Sequence, residues 1–450
     1  MKISSTLLPS VLTVCSLLAL SCAPPERAAA PGPTAGGEAF REMGARAGEL
    51  HDRIRHEALE ERIFTHADLW GALGPVVDGA AQLEREEVAR SVHDRPIFTV
   101  RYGSGPTTVL LWSQMHGDES TGTRALLDLF HWLAQEPDDE QAVRWAERLT
   151  IVAIPMLNPD GAERFERRNA LGIDVNRDAR TLATPEGRIL RELQRDLQPE
   201  WGFNLHDQSA RIRVDREDRI AAISLLAPPY DHDRSVNPVR LRAMKLAAVM
   251  RDAVEPHVGG HISQYDDSYN PRAFGDGMQR WGTSTVLLEA GAWRDDGEKR
   301  HLRKTYFAAL VAAIDAIATG QVERADTARY RDLPFNGPLA RDLWVRGGTI
   351  VLPDGLSYRA DLAVNYDDPL RPAEASIVDV GDLDGMFAAR DTLDAEGAYL
   401  HLERHALSGD DPAGPSLEVG QPAHFTVRQG QDPASPSLWR VLGGPPQRQR

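Results

Sequence analysis

The sequence predicts an α/β fold, a mixed central sheet with helices on both faces, followed by a small all-β region. Three observations predict it. From residue 97 onward, short β-branched runs alternate with longer segments of helical apolar spacing. After about residue 325 the helical segments stop, and short β-like runs separated by Gly, Asp and Pro take over. The composition, 42% hydrophobic and 26% charged over 450 residues, gives a globular chain room for one large core and more.

The elements follow in chain order. Residues 1–22 read as an export signal: Lys2 precedes an apolar stretch from Leu7 to Leu20 that is too short and too interrupted for a membrane span. It ends Leu18-Ala19-Leu20-Ser21-Cys22, which resembles a bacterial lipobox with Cys22 lipidated at the mature N-terminus. An exported protein is expected, either a periplasmic or outer-membrane lipoprotein or a secreted chain, touching membrane only through Cys22. Residues 23–64 read as an Ala/Pro/Gly-rich tether followed by an exposed, charged helical segment. Thr65-His66-Ala67-Asp68 offers a helix N-cap and opens a main domain expected over 65–322.

Within that domain, Ile97–Arg101, Thr107–Trp112, Thr150–Ile154, Trp201–Leu205 and Thr285–Leu288 read as strands. Thr121–Leu133, Glu186–Leu197, Val239–Val254 and His301–Ile317 carry helical spacing. Residues 323–450 are expected to form a β-rich accessory domain with a frayed tail. In it, Asp342 to Gly355 reads as a hairpin without chemistry.

The formal net charge is −16, from 67 acidic and 51 basic residues, which argues against nucleic-acid binding. Both cysteines, Cys15 and Cys22, lie in the signal segment, so no disulfide and no thiolate metal site is expected in the mature chain. Any metal must be held by His, Asp and Glu. A monomer is expected.

His116-Gly117-Asp118-Glu119 follows directly on the strand Thr107–Trp112. Of the 14 histidines, only His116 has a glutamate three residues on. The chain has no His-Glu-x-x-His, no Gly-x-Ser-x-Gly elbow and no phosphate-binding loop. Asn158-Pro159-Asp160-Gly161 follows the next strand, and Arg167 to Asp178 contains Asp174-Val175-Asn176-Arg177. His206 and Glu289 each close a strand. Every one of these residues lies just past a strand end, where open α/β sheets build their sites.

Taken in order, these motifs resemble the M14 zinc carboxypeptidases, over roughly residues 65 to 320. The resemblance implies a zinc ion on His116, Glu119 and His206. It implies Glu289 as the general base acting on a zinc-activated water, and Arg167 as the stabiliser of the developing oxyanion, with Arg168 as the fallback. Asn176 and Arg177 would clamp the terminal carboxylate of a peptide substrate, and Asp174 would orient His116. Tyr265 and Tyr269 are the two tyrosines available to cap the substrate in the loop before Glu289.

Two further features are open. Asp207, beside His206, supports the metal site or merely caps a turn, the second being slightly favoured. The run Arg211-Ile212-Arg213-Val214-Asp215-Arg216 reads as a solvated strand edge paired with Asp215, Glu217 and Asp218, with an anionic-substrate subsite as the rarer reading. Three functions compete: a zinc metallocarboxypeptidase, a related zinc amidase or deacylase acting on cell-wall or modified peptides, and a catalytically inactive binding module.

Overall fold

The computed structural model describes residues 35–352, 354–403 and 417–449. The expected signal segment, lipobox and most of the tether lie outside the described residues. Among the described residues no helix is long and apolar enough to cross a membrane.

The first half of the chain runs α1 (Ala35–Ile54), α2 (His66–Asp78), β1 (Leu83–Arg90), β2 (Pro96–Tyr102), β3 (Thr107–Ser113), α3 (Thr121–Gln135), α4 (Glu140–Arg148), β4 (Leu149–Ile154) and the single turn α5 (Pro159–Ala162). It continues with α6 (Pro185–Leu197), β5 (Trp201–Asp207), β6 (Ile212–Val214), β7 (Ile223–Leu226), α7 (Pro238–Val258), β8 (Ile262–Gln264), α8 (Phe274–Arg280), β9 (Ser284–Ala290), α9 (Arg300–Ala318) and α10 (Ala328–Arg331). Eight strands form one mixed sheet in the order β1-β2-β4-β3-β5-β9-β7-β8. Its centre, β4-β3-β5-β9, is parallel, and antiparallel pairs flank it.

The period-2 alternation of the central strands sorts their side chains into two cores. Val109, Leu111, Phe203, Leu205, Val286 and Leu288 join a cluster with α1, α3, α7 and α9. Leu110, Trp112, Val152 and Ile154 join a second cluster with α6 and α8. Phe203 and Leu205 point to the first cluster, so Asn204 and His206 face the other way. By the same parity Leu287 and Glu289 face the side opposite Val286 and Leu288. The polar residues of the two strands therefore open on one face.

Helix α1 is not the exposed element its charge suggests. Phe40, Ala47, His51 and Ile54 are buried against α7 and α9. At Gly44 a Cβ would sit 1.9 Å from the Ala253 carbonyl oxygen of α7, so only glycine permits that crossing. Asp128 of α3 then joins three helices, accepting from Arg303 (2.6 and 2.7 Å) and facing His51 Nε2 at 3.0 Å. The charges of α1 lie on its other face, which is why composition alone misplaces it.

Beyond the main sheet, β10 (Asn336–Leu339) pairs with β6. Then follow β11 (Arg341–Arg346), β12 (Thr349–Val351), β13 (Ser357–Arg359), β14 (Asp361–Tyr366), β15 (Ala375–Gly381), β16 (Ala389–Asp394), β17 (Tyr399–Leu402), β18 (His424–Arg428), β19 (Ser437–Leu442) and β20 (Gln447–Arg448). They form a four-stranded sheet, β15-β14-β11-β16, and a six-stranded one, β13-β12-β17-β18-β19-β20. Leu343, Leu362 and Ile377 of one sheet and Ile350, Leu400 and Phe425 of the other share a separate apolar cluster.

Two expectations fail here. The hairpin expected over Asp342 to Gly355 does not form, because β11 and β12 belong to different sheets. The arginine run is not a solvated edge. Arg211 pairs with the buried Asp342 at 2.5 Å, Arg213 donates to the Pro338 carbonyl at 3.0 Å, and β10 covers the β6 edge. Asp342 also accepts from the Tyr366 backbone (2.8 Å) and from Arg390 (3.2 Å), so its burial is matched by partners.

Candidate active site

The loop after β3 carries the first two candidate ligands, and its shape is set by close packing. Gln114 holds it from within, donating to the Gly117 carbonyl at 2.9 Å. A Cβ at Gly117 would meet the Gly161 carbonyl carbon at 2.0 Å. The loop therefore rests directly on the backbone of the Asn158-Pro159-Asp160-Gly161 turn. Asn158 caps that turn through Gly161 N–H (2.9 Å) and donates to the Met115 carbonyl (3.3 Å). Asp160 ties it to Ser91, His93 and Arg95. The Asn-Pro-Asp-Gly motif is thus a bearing for the loop.

His116 and Glu119 meet His206 from the end of β5. Nδ1 of His116 lies 2.7 Å from Glu119 Oε1, and Nδ1 of His206 lies 3.2 Å from His116 Nδ1. His206 Nδ1 also faces Glu119 Oε2 at 2.5 Å. All three residues are buried, and among the described residues theirs is the one His/Cys/Asp/Glu set whose ligand atoms lie within 4.8 Å of one another. The far nitrogen of His116, Nε2, is 3.0 Å from Asp174 Oδ1 and so carries the proton there. Its Nδ1 lone pair then points at a carboxylate and a second imidazole. Arg167 Nη1 approaches that lone pair at 3.1 Å, and the three converging groups could also hold a metal ion. Two imidazoles and one carboxylate fit a zinc ion with a fourth position left open.

Glu289 sits beside this set by register. In the parallel β5–β9 pair, His206 is directly opposite Glu289. The Glu289 carboxyl is buried, and its Oε2 has no hydrogen-bond partner among the described residues. Burial, followed by the charges of Glu119 and Asp207, pushes its pKa well above the ordinary glutamate range. Glu119 moves the other way: burial opposes ionisation, but His116 and His206 outweigh it and hold the carboxyl well below that range. Two glutamates in one pocket, driven apart by their surroundings, is the pattern that separates a ligand from a proton acceptor.

Arg167 reaches into the same cluster. It donates to Asp174 Oδ2 through Nε (3.2 Å) and Nη2 (3.0 Å), and to Glu119 Oε1 through Nη1 (3.1 Å). Arg168 points elsewhere, to the Gly172 carbonyl at 2.9 Å, so the fallback is not needed. Asp174 caps the short turn Val175–Arg177 through Asn176 N–H (2.9 Å). Burial would raise the Asp174 carboxyl, but His116 and Arg167 overcome it and depress it strongly. Asn176 is partly committed, since its Oδ1 accepts Phe274 N–H at 2.9 Å and leaves the amide nitrogen for a ligand. Arg177 donates to the Asn176 carbonyl at 2.7 Å and has no ion pair among the described residues.

His116, Glu119, Arg167, Asn176, Arg177, His206 and Glu289 line a cleft of about 540 Å³ with Asn204, Leu226, Tyr265, Tyr269, Asp276 and Leu287. A larger surface groove of about 900 Å³ runs between residues 56–64 and α2, away from this chemistry.

Residues 80–205 match the family Peptidase M14, zinc carboxypeptidase. This region is similar to the M14 zinc carboxypeptidases. The chain is 32% identical over 102 residues to carboxypeptidase 2 of Trichophyton rubrum, covering 22% of this chain and 19% of that protein. It is 28% identical over 147 residues to carboxypeptidase SOL1 of Arabidopsis thaliana, covering 29% of this chain and 30% of that one. The chain therefore spans less than a third of these curated relatives. Among solved structures it is similar to the metallo-carboxypeptidase of Burkholderia cenocepacia (TM-score 0.45, 18% identity, 58% of this chain and 70% of that one). A metallo-carboxypeptidase of Pseudomonas aeruginosa gives a TM-score of 0.46 at 18% identity over 58% and 70% of the two chains.

The M14 match ends one residue before His206, and Glu289 lies well beyond it. Geometry is what brings both to His116 and Glu119. The two tyrosines share the cleft. The Tyr269 hydroxyl accepts from Arg280 (3.2 Å), and the pKa of the Tyr265 hydroxyl is raised chiefly by the Glu289 charge. Asp207 does not cap a turn with its carboxylate, and of the two readings contact with the metal-site residues is the one its hydrogen bonds favour. It accepts from Thr121 (2.8 Å) and pairs with Lys299 (3.1 Å), while its backbone N–H donates to Glu119 Oε2 at 3.2 Å. Lys299 is the residue that sequence reasoning missed, since nothing in its surroundings of Asp296, Gly297, Glu298 and Arg300 marks it out.

Replacing Asp174 with Asn should leave the fold intact but weaken zinc binding by roughly 10- to 100-fold, the usual loss when the partner of a ligating imidazole is removed. Competition with a chromogenic chelator measures it. Unchanged affinity would show that Asp174 does not orient His116.

Proposed function

We propose that the chain is a zinc-dependent metallocarboxypeptidase that removes C-terminal residues from peptides. The observation that carries this reading is the cleft itself, where three converging metal-donor groups, one buried glutamate on the adjacent strand and one arginine without an ion pair share a wall.

The roles follow from position. Zinc held by His116, Glu119 and His206 would supply Lewis acidity and lower the pKa of water at the open position. Glu289 accepts a proton from the attacking water and passes it to the leaving amine, for which a carboxyl raised above the ordinary glutamate range is suited. Arg167 lies against Glu119 and presents fixed positive charge where the carbonyl oxygen becomes an oxyanion. Arg177, with the amide nitrogen of Asn176, holds the free terminal carboxylate, which the guanidinium fork matches. Tyr265 closes over the substrate from the loop before α8.

The test is a peptide-library digest read by mass spectrometry, with and without chelator. Single residues lost from C-termini, and no loss in chelator, support the proposal. Cleavage of amidated peptides as fast as free acids would instead favour the amidase reading. A metal-free native protein with no turnover would favour the binding module.

Arg177→Ala should lower kcat/KM for free acids by about 10- to 100-fold, the worth of a hydrogen bond to a charged group at ~1.5–3 kcal/mol. It should also erase the preference for acid over amide. A variant that keeps that preference would remove Arg177 from the clamp.

A further inference from the structure

We infer that Lys299 is a positioning residue that fixes Glu289 by tying the ends of β5 and β9 together. The inference rests on the reading of Glu289 as the base.

Lys299 is 4% exposed and donates through Nζ to the Ala290 carbonyl at 3.0 Å, with Asp207 Oδ2 at 3.1 Å. Asp207 and Ala290 are themselves register partners, the pair immediately after His206 and Glu289. One ammonium therefore spans the two strands one residue beyond the ligand and the base. The Ala290 carbonyl also accepts Gln208 N–H at 2.9 Å. On the other side of Glu289, the Tyr306 hydroxyl donates to the Leu288 carbonyl at 2.6 Å and to the His206 carbonyl. Glu289 is thus flanked by two carbonyls that α9 and its N-cap hold in place.

The Glu289 side chain has little else to locate it. Oε2 has no hydrogen-bond partner among the described residues, so the backbone sets where the carboxyl points. The tie extends to the metal side, because Asp207 N–H donates to Glu119 Oε2 and Asp207 Oδ2 accepts Thr121 Oγ1. The arrangement is costly to build. An ammonium this buried loses its hydration, and Lys299 adopts a left-handed backbone (φ 52°, ψ 36°) that disfavours side chains. The Ala290 carbonyl already accepts Gln208 N–H, so its own satisfaction does not call for the ammonium. Reacting groups do need placement, since a shift of about 1 Å can cost on the order of a hundredfold in rate.

The experiment uses the full zinc-loaded chain and peptides with free C-termini. Wild-type turnover, with its loss in Glu289→Gln, first establishes the base. Should the wild type be inactive or Glu289→Gln active, that reading fails and the inference falls with it. Given a dead Glu289→Gln, Lys299→Met should lose ~10- to 100-fold in kcat, with KM within threefold and zinc content equal to wild type, at a temperature where circular dichroism shows both folded. Lys299→Arg, which keeps charge and donors, should recover part of kcat. If Lys299→Met does not fold, Asp207→Asn removes the carboxylate charge from the tie and should lower kcat several-fold without raising KM. A kcat within twofold of wild type in Lys299→Met, or in Asp207→Asn if Lys299→Met does not fold, overturns the inference, as does a loss confined to KM.

Discussion

Glu289→Gln is expected to reduce kcat by roughly a thousandfold or more, at the upper part of the range for loss of a general base. The amide keeps the shape but cannot take a proton. Zinc affinity should change little, since Glu289 lies across the strand pair from His206 rather than among the donor atoms. The same variant should stabilise the metal-free protein at neutral pH. The Glu289 carboxyl is raised in the folded state, so its stabilising share is present below its unfolded value and is lost as pH rises through the folded value. Above that window the ionised, buried group works against the fold, and Gln removes the penalty. Thermal melts of the chelated proteins across a pH series that starts below the ordinary glutamate value should show the variant's advantage growing as pH rises. In the active enzyme the same carboxyl must be ionised to work, so kcat/KM should fall on the acid side with one proton. A fully active Glu289→Gln, or a melt difference largest at low pH, would remove Glu289 from the mechanism.

His206→Ala should abolish turnover by removing one of the three donors. Loss of an outer partner costs metal sites about 10- to 100-fold in affinity, and loss of a direct ligand should cost more. The readout need not depend on activity. A ligand that binds only the folded state raises stability by RT ln(1 + [L]/Kd), about 2.7 kcal/mol at a hundredfold excess over Kd. Zinc should therefore raise the wild-type melting temperature and leave that of His206→Ala nearly unmoved. An equal zinc shift in both proteins would place the ion elsewhere.

How much of this was legible in the chain differs between fold and site. Strands β3, β4 and β9 were legible because their apolar residues run together and include β-branched ones, as buried parallel strands require. Strand β1 was not, since Leu-Glu-Arg-Glu-Glu-Val-Ala-Arg has the composition of a helix and is made a strand only by pairing with β2 at the sheet edge. Strands β7 and β8 are too short for any periodicity to register. The charges of α1 suggested solvent, and the packing of Phe40, Ala47 and Ile54 on α7 and α9 overrode them.

By itself, the sequence determined the chemistry available: a His-x-x-Glu pair past a strand, a later histidine and glutamate each closing a strand, and no thiol outside the first 22 residues. Those are local facts, fixed by residue type and spacing. Tertiary structure alone decided which groups meet. It chose Arg167 over Arg168, spent half of Asn176 on Phe274 N–H, and sent Arg211 to Asp342. It also brought Lys299 to Asp207 across 92 positions of chain. The reason is physical. Adjacent parallel strands align residues far apart in sequence, and a buried charge takes whatever partner the packing delivers, so neither can be read from neighbours along the chain.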